Sequence, residues 1–533
     1  MSTSSEPSTR TADSHDPALT QKTTLWRSRQ VLSPTSPDAN ALLTTGSDIT
    51  WVGDVSEAPA ADTTVDLGDT VVTPAFVDSH AHMLFTGAEL SLPSLSHATS
   101  ASHFLDIVAS HADTIAETDS VILRGWDETT WEDPTLPTSE QLSQATSGRH
   151  YYFARACGHI GLAAPGLLND HPEIAQLDGF DPSGVLRQKA HRAGLASLTA
   201  SISLSQRNQW NLAALNHAAS LGIAAVVECA IATGDPLAEA DFQQLIALGG
   251  HSDLPTVYGW WAELCEAEKA RELGAIGCGG DLNLDGSIGA RTAALSTPYH
   301  DDQATCGNLY LTSDEVYRHL IDCHRVGLPA AFHSIGDAAT ATIIDGFHKL
   351  ASDLDVEEIR SFRHRIEHCE LVDKDLIAGI VKYGIYASVQ PAFDAAWGGV
   401  DKMYATRMGK ERSLHANPFA GLAGVGVPLA FGSDSPVTPL DPWGGVRAAV
   451  QLHNPTQRLA LATAFAAATR GGWRALGIDD AGALMPGQKA HFAAWDVTGV
   501  ALDETSLPDL VASDTPTPTC QATVSSGHLI HQK

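Results

Sequence analysis

Positively charged residues and long apolar stretches are both scarce in this chain of 533 residues. Lysine and arginine total 32 against 63 aspartate and glutamate residues, which gives a formal net charge of −31. Because nucleic-acid binding depends on concentrated lysine and arginine, this balance argues against a nucleic-acid partner. No uninterrupted apolar run reaches the ~18 residues that a transmembrane helix needs, so we expect no membrane contact.

Disulfide patterns and a secretion signal are missing as well. The eight cysteines are scattered and include no Cys-x-x-Cys pair. This favours reduced thiols in the cytoplasm over a disulfide framework, and it offers no zinc knuckle. Residues 1–21 are rich in serine, threonine and aspartate and lack an apolar core. We interpret them as a disordered tail rather than a signal peptide, and we expect a cytoplasmic protein.

Strand-like apolar runs alternate with helical segments through most of the chain. This alternation predicts an α/β fold, a (β/α)8 TIM-type barrel over residues 74–481, with a large insertion at about 88–210 after the first barrel strand. Period-two patterns over 22–73 and 482–533 predict a small β-sandwich formed from both chain termini. The predicted barrel strands are 76–82, 224–229, 256–262, 276–284, 330–333, 365–368, 386–390 and 429–434, and the clearest helical spacing falls at 313–326, 338–354 and 372–383.

A His-x-His pair, His80 and His82, ends the first predicted barrel strand. Side chains two residues apart in a strand point to the same face, so the two imidazoles lie side by side. Two such imidazoles are half of a divalent-metal site. On its own the pair is more often two polar residues at a strand terminus.

Three further ionisable residues fall at the ends of other predicted strands. His333 ends the fifth strand, His368 the sixth and Asp434 the eighth. Taken singly, each is more often a satisfied structural residue than a ligand. In a barrel, however, the C-terminal strand ends meet at one mouth, where catalytic groups lie. Together with His80 and His82 they predict a metal site.

These residues stand in sequence runs that resemble amidohydrolase family 3 of the amidohydrolase superfamily, the branch that includes N-substituted formamide deformylases. The resemblance extends from about residue 73 to residue 496. The matching runs are 74–80, 125–126, 285–293, 298–299, 333–338, 363–368, 390–391 and 432–434. Each run is modest alone, but their order along the chain is specific. The resemblance implies the barrel with its terminal β-sandwich and a metal-dependent hydrolase.

The resemblance also implies the chemistry. A divalent metal, with Zn²⁺ favoured, activates water that cleaves a carbon–nitrogen bond other than a peptide bond, in an amide, formamide, carbamate or cyclic amide of a small-molecule substrate. Asp434 takes the proton of the water and passes it to the leaving nitrogen, and His368 helps to stabilise the oxyanion. Asp434 acting only as a ligand is the alternative.

One position departs from the family pattern. Relatives often carry a lysine four residues before the Asp-Gly motif, and its carbamylated form bridges two metals. This chain has Asp281 there. An aspartate side chain is several ångströms shorter than a carbamylated lysine. We therefore favour one tightly held ion over two, with a pair held closer to the fourth strand as the other possibility. Asp281 is equally compatible with a role as metal ligand or as a residue that orients a ligand histidine.

Substrate contacts are predicted at motif-matching positions in the insertion and the fourth βα loop, namely Trp126, His159 and Arg291. The alternatives are that Trp126 belongs to the core of the insertion and that Arg291 ties the loop to a carboxylate such as Asp285.

Two other functions compete with the hydrolase: a mononuclear deaminase of the same superfamily, and a non-catalytic binding or regulatory paralogue. A homodimer is the default expectation for the oligomeric state.

Overall fold

The computed structural model describes residues 22–533 except 129–130, 156–159, 232–234 and 504. The predicted tail over residues 1–21 and the predicted substrate residue His159 therefore lie outside the described residues. No helix of the described chain is both long and apolar enough to cross a membrane.

The strands form five sheets, and their bounds differ from the predictions mainly at strand ends. They are β1 (Thr23–Arg27), β2 (Gln30–Val31), β3 (Ala41–Thr45), β4 (Asp48–Gly53), β5 (Thr63–Asp66), β6 (Val71–Pro74), β7 (Phe76–Ala81), β8 (Val121–Trp126), β9 (Tyr151–Arg155), β10 (Ile160–Ala163), β11 (Val185–Arg187), β12 (Ile223–Ile231), β13 (Thr256–Ala262), β14 (Gly277–Cys278), β15 (Ala331–Ser334), β16 (Arg365–His368), β17 (Tyr386–Val389), β18 (Leu429–Phe431), β19 (Phe492–Asp496), β20 (Thr519–Ser525) and β21 (His528–Gln532).

Helices follow most of the central strands. They are α1 (Met83–Ser91), α2 (Ala101–Ala112), α3 (Ser139–Ala145), α4 (Pro165–Asp170), α5 (Gln188–Ser201), α6 (Leu204–Ser220), α7 (Ala238–Leu248), α8 (Ala267–Glu272), α9 (Ser313–Val326), α10 (Asp337–Leu350), α11 (Val356–Ser361), α12 (Lys374–Tyr383), α13 (Pro391–Trp397), α14 (Met403–Met408), α15 (Lys410–His415), α16 (Phe419–Gly424), α17 (Pro442–Val450), α18 (Leu461–Ala466) and α19 (Gly472–Ala475), with short 3-10 turns at Val55–Glu57, Pro172–Gln176 and Pro455–Gln457 and a π-helical turn at Ala467–Gly471.

Two four-stranded parallel sheets make up the centre of the molecule, in the orders β14-β13-β12-β7 and β15-β16-β17-β18. Isolated parallel bridges link their edge strands, Cys278 to Ala330 on one side and Ala81 to Ser435 on the other. Parallel pairing with a helix between successive strands is the TIM-barrel-like α/β arrangement that the sequence predicts. It brings the C-terminal ends of β7, β15 and β16 to one side of the centre.

The fourth and eighth strands are shorter than predicted. Instead of 276–284, β14 covers only Gly277–Cys278, because Gly279 and Gly280 adopt φ values of +121° and +79°. A Cβ on Gly279 would lie 1.9 Å from the carbonyl oxygen of Ala331, so this close approach needs glycine. Likewise β18 ends at Phe431, and Asp434 lies in the following loop with φ +54°. Both carboxylates, Asp281 and Asp434, thus sit on loops rather than on strands.

The two chain ends contribute to neighbouring sheets. One sheet has the order β4-β3-β1-β5, and the other, β2-β6-β19-β20-β21, pairs β6 near the start of the chain with β19 near its end. Trp26, Leu42, Phe492 and Val524 from these two sheets share one buried apolar cluster. The fifth sheet, β11-β10-β9-β8, belongs to the insertion and packs on its own apolar clusters.

A buried arginine fills the centre of the strand arrangement beneath the mouth. Arg365 of β16 is fully buried and donates to Ser79 O at 2.7 Å and to Ser388 Oγ at 3.0 Å. Its guanidinium lies 5.0 Å from the ring centre of Trp260 and pairs with Glu367. A guanidinium this deeply buried needs such partners to be stable, and here they engage Nε and Nη2.

Candidate metal centre

The His-x-His pair reaches the mouth from the end of β7. His80 is fully buried in the strand, whereas β7 ends at Ala81 and His82 occupies the N-cap position of α1. The Nε2 atoms of both rings face the same two carboxylates. His82 Nε2 lies 3.1 Å from Asp434 Oδ1 and 3.2 Å from Asp281 Oδ2. His80 Nε2 lies 3.5 Å from Asp434 Oδ1 and 3.4 Å from Asp281 Oδ1.

Asp281 lies among all four candidate histidines. Besides its contacts with His80 and His82, its Oδ1 atom is 3.5 Å from His333 Nδ1 and 3.9 Å from His368 Nε2. His333 Nδ1 and His368 Nε2 are themselves 2.9 Å apart. The structure therefore brings the residues predicted as metal ligands into one cluster with Asp281 at its centre.

The donor atoms of this cluster fit a divalent ion. With Zn–N and Zn–O bonds of about 2.0–2.1 Å in a tetrahedron, ligand atoms are about 3.3 Å apart. The four contacts of His80 and His82 with the two carboxylates span 3.1–3.5 Å. In addition, His80 Nε2 and Asp281 Oδ1 are buried with no hydrogen-bond partner. Unpartnered buried polar atoms are costly, and a cation between them would satisfy both.

Hydrogen bonds behind the cluster fix which imidazole nitrogen faces it. His80 Nδ1 lies 2.9 Å from Glu367 Oε2, and His368 Nδ1 lies 2.8 Å from Gln390 Oε1. Since both oxygens are acceptors, each Nδ1 carries the proton and donates it. The lone pair of each Nε2 therefore points into the cluster.

The charges of the cluster shift the pKa values of its members. Burial favours the neutral acid, but the neighbouring histidines hold the pKa of Asp281 and of Asp434 well below the usual range. Burial likewise disfavours a charged imidazole, yet contacts with both carboxylates raise the pKa of His82 well above its usual value. Burial and the charge of His333 lower the pKa of His368. The carboxylates thus attract positive charge, which imidazole protons or a bound cation can supply.

Of the predicted substrate residues in the described chain, Trp126 and Arg291 are each engaged by groups outside this cluster. Trp126 is 1% exposed, packs in the core of the insertion and donates to Phe153 O at 3.0 Å. Arg291 forms a two-point ion pair with Asp301, at 3.0 and 2.9 Å. Arg291 therefore ties its loop to a carboxylate, as the alternative interpretation had it, but the partner is Asp301 and not Asp285. Asp285 instead accepts backbone N–H groups of the Ala294 and Ile335–Gly336 segments.

A family model, the Amidohydro_3 model of the amidohydrolase family, matches residues 63–531. The chain belongs to the amidohydrolase family. YtcJ of Bacillus subtilis (strain 168) is 27% identical over 411 residues, which cover 72% of this chain and 74% of YtcJ. The protein LONG AFTER FAR-RED 3 of Arabidopsis thaliana is 25% identical over 476 residues, 81% of this chain and 80% of that protein.

Solved structures share the fold of this amidohydrolase-family chain. The crystal structure of an uncharacterized metal-dependent hydrolase from Pyrococcus furiosus superimposes with a TM-score of 0.74 at 25% identity. The match covers 89% of this chain and 98% of that chain.

Sequence reasoning missed the residues that orient the ligands. Neither Glu367 nor Gln390 stands at a spacing typical of metal ligands, and the sequence pattern predicts both as ordinary strand residues. A signal was nevertheless present: Arg365 and Glu367 are two apart on one predicted strand, so both side chains lie on the same face. A charged pair on the inner face of a barrel strand predicts a buried network with a specific partner.

Proposed function

We propose that this amidohydrolase-family chain is a metal-dependent hydrolase that cleaves a carbon–nitrogen bond other than a peptide bond in a small molecule. The observation that carries the proposal is the convergence of His80, His82, His333 and His368 on the paired carboxylates of Asp281 and Asp434. The proposed substrates are amides, formamides, carbamates or cyclic amides. A formamide matches the family branch that the sequence most resembles.

The proposed ligands are drawn from the four histidines, Asp281 and Asp434, since one tetrahedral ion takes only three or four of them. Zn²⁺ is the favoured ion because the donors are imidazole nitrogens and carboxylate oxygens. When bound, such an ion supplies a Lewis acid that polarises a carbonyl and lowers the pKa of water. We favour one ion per chain, since Asp281 stands where relatives carry the bridging lysine. Its contacts with all four imidazoles support the ligand role over a purely orienting one.

Asp434 is the proposed proton carrier. Its carboxylate lies 3.1 Å from His82 Nε2, and its low pKa keeps it ionised at neutral pH. An ionised carboxylate at that place can accept a proton from the attacking water and return it to the leaving nitrogen. His368 is the proposed oxyanion-stabilising residue. Because its Nδ1 donates to Gln390 and its Nε2 turns a lone pair to the cluster, it would act as a ligand of the ion and not as a hydrogen-bond donor.

The proposed architecture around the site is a closed barrel over residues 74–481, with the insertion at its mouth and a β-sandwich of residues 22–73 and 482–533. The bridges from Cys278 to Ala330 and from Ala81 to Ser435 support closure. The apolar cluster shared by the two terminal sheets supports the sandwich.

The test combines metal analysis with a substrate panel. We expect about one Zn²⁺ per chain and release of carboxylate from at least one member of a panel of formamides, N-acyl amines, carbamates and cyclic amides. Asp434→Asn should lower kcat by about 10²–10⁴-fold, the usual contribution of a general acid–base residue, while metal content stays measurable. A folded wild-type chain that binds no divalent ion would overturn the proposal. Two ions per wild-type chain would overturn the mononuclear form alone.

A mononuclear deaminase is the second candidate, and Asp281 in place of the bridging lysine favours it. A deaminase attacks an amidine-like carbon and releases ammonia. Adding an amino-substituted, amidine-like heterocycle to the panel, and measuring ammonia and carboxylate separately, distinguishes the two activities.

A further inference from the structure

A cavity of about 510 Å³ opens beside the cluster, with His82 and Cys229 in its lining. It runs between α1, α5 and α7 and the ends of β12 and β13. Its volume falls within the 300–1,000 Å³ typical of small-molecule pockets. Because one wall includes a proposed metal ligand, a substrate held at the cluster can extend directly into this space.

Most of the cavity wall is apolar. Phe242, Leu245 and Trp261 are buried side chains of the wall, and Leu84, Leu195 and Ala230 add further apolar surface. Burial of an apolar group against such a wall is favourable in proportion to the area removed from water.

The buried charged groups of the wall already have partners. Arg207 is 1% exposed and donates to Ile202 O at 3.0 Å, to Thr199 O at 2.6 Å and to Asp235 Oδ2 at 2.7 Å. Asp241 accepts from Asn211 at 3.1 Å. Arg192, the other cation of the lining, is exposed to solvent, where an ion pair stabilises little.

Carboxyl groups also line the inner part. Glu228 is buried and accepts the N–H of Met83 at 2.7 Å. Asp235 and Asp241 face Arg207 Nη1 at 2.7 and 3.7 Å, and Glu228 is bonded to the N–H of Met83. Among the described lining residues, the interior therefore offers neither an anionic nor a cationic group a charged partner that is not already bonded. A charge moved into such a space without a partner is strongly unfavourable.

We propose that this cavity binds a neutral, apolar substituent of the substrate, which makes the chain selective for amides with an uncharged aryl or alkyl group. This inference rests on the proposed function, since it treats the neighbouring cluster as the reacting centre. It names the substrate class that the family assignment leaves open.

The test measures equilibrium binding to the metal-loaded Asp434→Asn chain, in which the proposed function makes cleavage of the probes too slow to disturb the equilibrium. The probes are three 4-phenylbutanamides that carry a methyl, carboxylate or aminomethyl group at the far end of the ring. We expect the methyl compound to bind at least tenfold more tightly than either charged compound. Equal or tighter binding of a charged compound would overturn the inference.

Two variants place the binding in this cavity. Ala196→Phe fills its exposed rim on α5 and should weaken binding of the methyl compound at least fivefold. Ala247→Phe makes the same substitution on the exposed side of α7, outside the lining, and should leave binding unchanged. Should Ala196→Phe fail to fold, Ala238→Phe fills the opposite wall. Unchanged binding in the folded cavity variant would contradict the inference, whereas loss of metal from the same samples would instead count against the hydrolase proposal.

Discussion

Replacement of Glu367 by glutamine gives a sharp test of how the cluster is organised. Glu367 is fully buried and accepts from His80 Nδ1 at 2.9 Å and from Arg365 Nε and Nη2 at 2.9 Å each. Burial favours its neutral acid, yet Arg365 and His80 hold the pKa of Glu367 at about 2. The carboxylate is therefore ionised, and it compensates the buried guanidinium while it orients His80.

Glutamine keeps the shape of the Glu367 side chain but removes its negative charge. It also places an NH₂ group against the N–H donors of His80 and Arg365. Removal of one partner from a buried ion pair costs about 3–5 kcal/mol of stability. Loss of a group that orients a metal-binding histidine lowers metal affinity about 10–100-fold. We therefore expect Glu367→Gln to show both effects together: a clearly lower unfolding temperature and a 10–100-fold higher Kd for Zn²⁺.

The measurements are differential scanning calorimetry and Zn²⁺ competition with a chromophoric chelator. Glu357→Gln is the matched control. The Glu357 side chain is 89% exposed, and its Oε1 forms a solvent-exposed ion pair with Arg360 Nε at 3.8 Å. An exposed change of this kind shifts stability by no more than about 0.5 kcal/mol. Wild-type zinc affinity in a folded Glu367→Gln protein would refute the orienting role. An unchanged unfolding temperature would refute the charge compensation of Arg365.

Two further predictions concern other carboxylates. Asp281→Asn should lower zinc affinity by more than ~100-fold, the upper range for a residue that only orients a ligand. Chelator competition measures this beside Glu367→Gln. A loss of affinity equal to or smaller than that of Glu367→Gln would make Asp281 an orienting residue. Burial raises the pKa of Glu370 to about 7, so between pH ~4.5 and ~7 the folded chain keeps a proton that the unfolded chain releases, and stability falls as pH rises through that window. Glu370→Gln should remove on the order of 3 kcal/mol of this decline; unfolding temperatures at pH 5 and pH 8 test it, and an unchanged difference would contradict it.

Strand identity and most site positions could be predicted because each depends on local pattern. β13 and β16 have the predicted bounds, and His333 and His368 lie at or next to the C-terminal ends of their strands. Parallel strands in a barrel-like arrangement bring such ends together regardless of sequence distance. For His333 and His368, the strand pattern is therefore sufficient to predict that the two side chains lie close to each other.

Long-range partners could not be predicted in the same way. Arg291 belongs to a motif run that the family shares, but its partner Asp301 is fixed by how the loop folds back, not by spacing. Trp126 likewise belongs to a sequence run that the family shares, whereas its ring packs in the core of the insertion. An aromatic or an arginine in a loop carries no signal that separates packing from substrate contact.

Asp281 shows how a backbone feature changes the meaning of a side chain. Judged by length alone, an aspartate is too short to replace a bridging lysine. The strand, however, stops at Cys278, and the left-handed Gly279 and Gly280 redirect the chain before Asp281. The backbone then supplies the reach that the side chain lacks, so both carboxylate oxygens contact imidazoles. The two glycines and the aspartate are therefore coupled, and a substitution at Gly279 should disturb the metal site as strongly as one at Asp281 itself.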